Sequence, residues 1–444
     1  MANYDEDSVT MAVAAGAEAL EGMDASQVEG LFLASTTMPY KERLNSGIVA
    51  PALGLANQVR ATDVSGALKC GTSALLAALD SVRAGQMQKA LVCAADCRLG
   101  LPASTQEMVV GDAAAALVIG GQDCLAQCLG AFSITYDFVD HYRGQFAKAD
   151  RQWEDRWIRD AGLEKFIPEA IQGLLAKCGL AMEQISKVVY PCAYPAARMG
   201  INKKLGIAPE KEVNPLLDQM GDSGSAHPLL MFCQALEQAQ PGDKIVLVGV
   251  GNGCDALLWE ATPLIKSPSG RSTVAQRLEH RTELTSYTKY LVWRDLLQVE
   301  AGLRSEEDLW TRWSVNWRQR DALLGLWGSR CTACGTVQFP AQRVCANPDC
   351  GATDQMQPER MAGKTGTIFS YTGDMLAASD DPPVIYGHIV FEGGGKYAFN
   401  FTDCDLESLR VGQKVRMSFR RKYYDKKRDI VGYFWKAVPV REEK

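Results

Sequence analysis

The chain has 444 residues, is 47% apolar and carries a formal net charge of −6, enough sequence for two or three domains with their own cores. No apolar run approaches a bilayer span, and the opening MANYDEDSVTMAVAAG holds acids and no basic n-region, so neither membrane insertion nor a leader is expected and the expected compartment is the cytoplasm. The acidic balance speaks against a general nucleic-acid binder, and the one local basic cluster, RRKYYDKKR from Arg420 to Arg428, is broken by acid and aromatic residues and reads as a hairpin rim.

Val9 to Leu20 has helical periodicity behind Asp5, Glu6 and Asp7, whose charges favour a helix N-terminus. Val28 to Thr37 reads as a short buried strand, and Ser46 to Leu55 as a helix that carries Pro51. Asp63 to Gly85 joins a small-residue turn to a helix with apolar positions Leu75, Leu76, Leu79 and Val82. Gly66, Ala67 and Gly71 permit close backbone approach there, which suits an active site or simply a buried helix start. Lys89 to Cys97 and Gly111 to Gly120 are buried strands. The pattern recurs as a strand at Cys128 to Phe138, a helix at Phe166 to Cys178, a strand at Lys187 to Tyr190, a helix at Pro228 to Ala239 and strands at Lys244 to Gly249 and Cys254 to Trp259. Strands alternating with helices at this spacing give an α/β organisation, and two halves of similar order, Met1 to Gly121 and Gln122 to Pro263, suggest internal duplication.

From Leu264 the chain turns charged and rich in tryptophan, as in a helical connector whose Tyr287, Tyr290, Trp293, Trp310, Trp313 and Trp317 offer docking surface or pack as amphipathic helices do. Ten of the fourteen cysteines are scattered, as small buried hydrophobes are in a reducing compartment. The other four, Cys331, Cys334, Cys345 and Cys350, are spaced C-x2-C-x10-C-x4-C. Two ligand pairs at this spacing match a structural zinc ribbon, with iron or unrelated reduced cysteines as the alternatives, and four thiolates leave no open position for water activation. Beyond them TGTIFSYTG, VIYGHIVF, KYAFNFTD, KVRMSFRRKY and IVGYFWKAV make five strands, the number in a small barrel of the oligonucleotide/oligosaccharide-binding (OB) type.

Through DEDSVTMAVAAG, STTMPY, DVSGALKCGTSAL, GDAAAALVIG and the GNG turn, residues 3–262 resemble the thiolase superfamily, in its hydroxymethylglutaryl-CoA synthase and ketoacyl synthase III branch. Residues 329–440 resemble the family-35 zinc-ribbon and OB-barrel proteins that accompany thiolases. The resemblance implies a five-layered αβαβα thiolase-like fold followed by a zinc ribbon and a small all-β OB-type barrel. The expected divisions are a thiolase-like domain over 1–263, a helical connector over 264–328, the ribbon over 329–360 and the barrel over 361–444. It further implies acyl-CoA or CoA as ligand and a self-dimer or hetero-oligomer. Its members carry an initial strand ahead of the DED segment, so the first sheet is expected either to lack that strand or to have the edge completed by a partner.

Active members of the family hold a nucleophilic cysteine at the start of the helix in the Asp63 to Gly85 stretch, with a histidine, an asparagine and, in the synthase branch, a glutamate. Carried onto this sequence, those positions fall on Leu68, Cys192, Asp222 and Thr36, and none keeps the expected group. Cys70 lies two residues beyond Leu68, a displacement of roughly 3 to 6 Å that aims it elsewhere, and His227 is the histidine that could serve it as a base. The expectation is an accessory, non-catalytic subunit of a thiolase-type acyltransferase complex whose partner is a cysteine-bearing thiolase chain, without nucleic acid or membrane. The rivals are an autonomous condensing enzyme using Cys70 with His227, and a scaffold or regulatory binding protein without a thioester substrate.

Overall fold

Alternation along buried strands sets the layering of the first part of the chain. The computed structural model describes residues 1–267, 270–300 and 312–440, and it forms two compact units. The first holds residues 1–2, 7–50 and 56–285, and the second residues 3–6, 51–55 and those from 286 onward.

From the N-terminus the elements run α1 (Ser8–Ala19), β1 (Gly30–Ala34), α2 (Ser46–Leu53), β2 (Arg60–Val64), α3 (Cys70–Arg83), β3 (Lys89–Cys97), α4 (Thr105–Val109) and β4 (Asp112–Gly120). There follow β5 (Ala126–Thr135), β6 (His141–Tyr142), β7 (Arg151–Gln152), α5 (Asp155–Trp157), α6 (Glu164–Cys178), β8 (Lys187–Val189), α7 (Pro195–Leu205), α8 (Leu217–Met220), α9 (His227–Gln238), β9 (Lys244–Val250), β10 (Gly253–Ala261) and α10 (Val274–Glu279). Two four-stranded mixed sheets result, ordered β2-β1-β3-β4 and β5-β10-β9-β8. Ile245, Leu247 and Leu257 face one core together with Leu75 and Leu79 of α3, Leu229 and Phe232 of α9, and Phe32 and Val92 of the first sheet. Their neighbours Val246, Val248, Ala256 and Leu258 face a second core with Ile167, Ile171 and Leu174 of α6 and Ile201 of α7. Period-two strands buried on both faces require this arrangement. With α1 packed on β3 and β4, the order is α1, first sheet, α3 with α9, second sheet, α6 with α7: the five-layered αβαβα fold expected from the resemblance.

The duplication is visible in the ladders. β1 pairs parallel with β3, and β3 pairs antiparallel with β4, which follows it after α4. β8 likewise pairs parallel with β9, and β9 turns into antiparallel β10. In the second sheet β10 has β5 on its other side, whereas β4 pairs with β3 alone among the described residues. Asp7 caps α1: its carboxylate accepts from Thr10 N at 2.9 Å and its own N–H donates to Thr10 Oγ1 at 2.8 Å. Asp5 and Glu6, expected to serve the same helix end, are engaged elsewhere, in the second unit.

There Asp5, 2% exposed, accepts from Thr402 Oγ1 and Lys436 Nζ, both at 2.9 Å, and pairs with Arg420 Nη1 at 3.2 Å; Glu6 lies 2.9 Å from the same Arg420 nitrogen. Arg420 therefore belongs to a buried ion cluster, while the rest of the basic stretch follows a hairpin of two long strands, as its reading as a rim implied. The elements of this unit are α11 (Tyr287–Trp293), α12 (Trp313–Arg318), α13 (Arg320–Leu323), β11 (Trp327–Cys331), β12 (Val337–Gln338), β13 (Met356–Arg360), β14 (Gly366–Asp374), β15 (Val384–Phe391), β16 (Lys396–Asn400), β17 (Lys414–Asp425) and β18 (Ile430–Pro439). β12-β11-β13 is the ribbon sheet, and β16-β15-β14-β17-β18 is an all-antiparallel five-stranded sheet of OB type. Its ladder does not close into a full barrel; a single bridge from Phe401 to Ala437 joins the far ends. Of the connector aromatics, Tyr287, Trp313 and Trp317 are exposed, and Trp310 lies outside the described residues.

Candidate functional site

A cleft in the first unit, about 920 Å³ counting its open mouth, collects residues from six separate stretches of chain. Leu68, Cys192 and Asp222 all line it, beside Arg98, Asp140, His141, Gln152 and Tyr194. Three of the four positions carried over from the family resemblance are thus brought together. Thr36 is not among the lining residues; its N–H donates to Asp96 Oδ1 at 2.7 Å, and its carbonyl accepts from Arg143.

The turn before α3 presents Leu68. Gly251, in the glycine-rich turn between β9 and β10, passes so close that a Cβ on it would sit 2.8 Å from both Leu68 N and Lys69 N, which is why a residue without a side chain stands there. Gly71 meets the carbonyl oxygen of Ser225 more tightly still, with a notional Cβ at 2.2 Å. Cys70 points into the core rather than lining the cleft. It is 2% exposed, and burial, with Asp96 adding to it, pushes its thiol up to about 12. Cys192 is also buried, and its thiol is pushed up to about 11 by that burial.

His227 opens α9 with no exposure. Its Nδ1 accepts from Ser223 N at 3.2 Å, and its Nε2 donates to the carbonyl of Pro215 at 2.8 Å. Burial lowers its pKa, against the attraction of Asp222. Both nitrogens of this neutral ring are occupied, which suits a structural tie between α9 and the loop before α8. Asp96, fully buried, is satisfied by Ser35, Thr36, Thr37 and Ser225 and fixes the end of β3 under the cleft.

Arg98 spans two carboxylates, Asp150 Oδ2 at 3.1 Å and Asp222 Oδ2 at 3.0 Å. Burial would raise the pKa of Asp222, but Arg98 outweighs it and the carboxyl lies below its ordinary value. Arg143 adds a second cation on Asp150 at 2.5 Å. Tyr194 accepts from Gln152 Nε2 at 2.6 Å and donates to Asp155 Oδ1 at 3.2 Å. Arg98, Tyr194 and the neighbouring pair Asp140–His141 are functional candidates that sequence reasoning misses; nothing in their spacing marks them, because folding alone brings them to one wall.

In the second unit the four ribbon sulfurs lie within 4.8 Å of one another, with Cys334 to Cys345 at 3.5 Å and Cys331 to Cys350 at 3.9 Å. Tetrahedral thiolate ligation of zinc at about 2.3 Å sets sulfurs about 3.8 Å apart, so the cluster fits that ion. β11 supplies Cys331, and Cys334 follows in the turn into β12. In the β12–β13 connection Cys345 N donates to Ala352 O at 2.9 Å and holds the second ligand pair in place.

Comparison with known proteins agrees with this geometry. Residues 323–355 match the "ChsH2, rubredoxin-like zinc ribbon domain" profile, and residues 359–420 the "ChsH2, C-terminal OB-fold domain" profile. Residues 175–261 match "3-Oxoacyl-[acyl-carrier-protein (ACP)] synthase III C terminal". The hydroxymethylglutaryl-CoA synthase of Caldivirga maquilingensis is 30% identical over 307 residues, 67% of this chain and 86% of that protein. The chain belongs to the hydroxymethylglutaryl-CoA synthase family. Among solved structures, "MvaS in complex with 3-hydroxy-3-methylglutaryl coenzyme A" aligns with TM-score 0.59 at 19% identity over 69% of this chain and 84% of that one. The 3-oxoacyl-[acyl-carrier-protein] synthase III of Aquifex aeolicus VF5 aligns with TM-score 0.53 at 21% identity over 57% and 85%. These likenesses confirm the thiolase-like fold, and this member of the family adds the ribbon and OB-type sheet.

Proposed function

We propose that the chain is an accessory subunit of a thiolase-type acyl-CoA carbon–carbon bond-forming or bond-cleaving acyltransferase, binding CoA thioesters in its cleft without forming an acyl-enzyme. The observation that carries this is Leu68 in the cleft wall, at the position where the family resemblance asks for a thiolate, with Cys192 and Asp222 facing the same space. A leucine side chain has no group that can take an acyl chain. The buried, protonated thiol of Cys70 is a poor substitute. The CoA ligand is supported by the family and by the ligand named for the MvaS structure. A cysteine-bearing thiolase chain supplies the nucleophile in this reading. Zinc in the ribbon braces the second unit. No helix among the described residues is long and apolar enough to cross a membrane.

The test is intact-protein mass spectrometry after incubation with acetyl-CoA and longer acyl-CoAs, alongside calorimetry. CoA binding without a covalent adduct, and co-purification with a cysteine-bearing thiolase chain when the two are co-expressed, are the expected results. An acyl adduct on Cys70, or turnover by the chain alone that Cys70→Ala abolishes, rules the reading out.

A further inference from the structure

The cleft holds a proton-handling pair that the accessory reading leaves without a task. Asp140 and His141 stand at the start of β6. Asp140 Oδ1 accepts from the backbone N–H of His141 at 2.8 Å and lies 3.0 Å from its Nδ1. Burial would raise the Asp140 carboxyl, but hydrogen bonding to His141 keeps it below its ordinary value, so an ionised carboxylate orients the ring and fixes the proton on Nδ1. No hydrogen bond to the other nitrogen, Nε2, is present among the described residues, and His141 lines the cleft.

The remaining charged side chains of the wall, with the Tyr194 phenol and the Cys192 thiol, are engaged. Arg98 is held between Asp150 and Asp222, Asp222 also accepts from Gly224 N at 2.9 Å, Tyr194 is tied to Gln152 and Asp155, and the Cys192 thiol faces the Tyr194 carbonyl at 3.6 Å. His227 has neither nitrogen free. Carboxylate, imidazole and open nitrogen in sequence form the arrangement of a general base with its orienting partner.

We propose that His141 is a catalytic base that enolises an acyl thioester bound in the cleft, with Asp140 as its positioning residue. The C–H bond next to the thioester carbonyl breaks, its proton bonds to His141 Nε2, and its electron pair moves onto the carbonyl oxygen as an enolate. The Asp140 carboxylate stabilises the imidazolium that forms. The step needs neither a thiolate nor a redox partner, so Leu68 does not obstruct it. It rests on the reading of the cleft as an acyl-CoA site and extends it from binding to proton transfer.

The experiment follows loss of the α-proton NMR signal of acetyl-CoA and butyryl-CoA in deuterated buffer with the purified full chain, with affinity measured separately by calorimetry. Exchange at least about 100-fold above buffer is expected, the low end for a positioned base. It should fall to background in His141→Gln and by about tenfold or more in Asp140→Asn, with acyl-CoA affinity kept within about threefold. Binding with buffer-level exchange in the unmutated chain overturns the proposal and leaves the accessory reading standing, as does exchange unchanged in His141→Gln. If His141→Gln does not fold, Asp140→Asn decides: unchanged exchange there overturns the orienting role and the proposal with it. Absence of acyl-CoA binding removes the cleft reading and the proposal together.

Discussion

Leu68 and Cys70 sit two residues apart with opposite surroundings, one in a cleft wall and one in a core. A thiol held at about 12 is ionised in only about 1 molecule in 10⁴ at pH 8, and a 2% exposed side chain gives a reagent little access. Native-state alkylation read by peptide mass spectrometry should therefore leave Cys70 unlabelled until the chain is unfolded, while a thiol introduced by Leu68→Cys labels at least about tenfold faster. Rapid labelling of Cys70 in the folded chain would contradict the geometry. A second consequence at this scale concerns Asp5, whose pKa burial would raise but which Lys436 and Arg420 bring below the usual carboxylate range. Asp5→Ala strands Lys436, while Arg420 keeps Glu6 and Asp403, and should cost about 3 kcal/mol, the low end for breaking a buried pair, measured by urea unfolding of the full chain. A depressed carboxylate stabilises the fold above its unfolded value of about 3.9. The gap between the original and variant chains should therefore hold from neutral pH down to about pH 4 and close as acid titrates the folded group below that.

Elements with strong period are legible in the sequence: α1, α3, α6, α9 and most strands of the first unit, because one buried face imposes the pattern directly. Boundaries are less so, since Val28 to Thr37 reads as ten strand-like residues yet only Gly30–Ala34 pair in the ladder. The helix α7 escapes a reading by pattern although Ala197, Ile201 and Leu205 bury one face at intervals of four; Pro195 at its start and a basic end mask a weakly apolar segment. α3 carries a test of packing against propensity. Replacing glycine inside a helix by alanine ordinarily gains up to about 1 kcal/mol, but at Gly71 the new Cβ meets Ser225 O. Gly71→Ala should instead lower stability by about 1–3 kcal/mol, read by thermal or urea unfolding, and a stabilised variant would show that the α3–Ser225 approach is not tight. The ribbon provides the other elemental test. Metal analysis of the purified chain should find one zinc per chain, and chelation should release amide protection in β11, β12 and β13 while α3 and α9 keep theirs; full protection after zinc loss would show that the sulfurs are not what holds the ribbon.

At the scale of the whole molecule, the sequence signals and the site part company. Leu68, Cys192 and Asp222 follow from family resemblance one at a time, whereas the cleft they share with Arg98, His141 and Tyr194 exists only because the duplicated sheets bring the ends of β3 and β9, the β6–β7 hairpin and the segments after β8 and before α9 to one place. No local pattern encodes that convergence, which is why Asp140 and His141, adjacent in the chain, carry no signal on their own. The same convergence gives the binding reading a distinctive signature. A ligand specific for the folded state stabilises it by about 2.7 kcal/mol at 100 times its dissociation constant, and that protection reaches only the segments it touches or closes. Hydrogen exchange with saturating CoA should therefore slow amides around Arg98 to Val109, His141 to Gln152, Cys192 to Tyr194 and Leu217 to Gly224 together, four stretches remote in sequence, and leave Cys331 to Cys350 unchanged. Slowing confined to one stretch, or to the ribbon, would place CoA outside the cleft, and the role of Leu68 in defining the function would lose its footing.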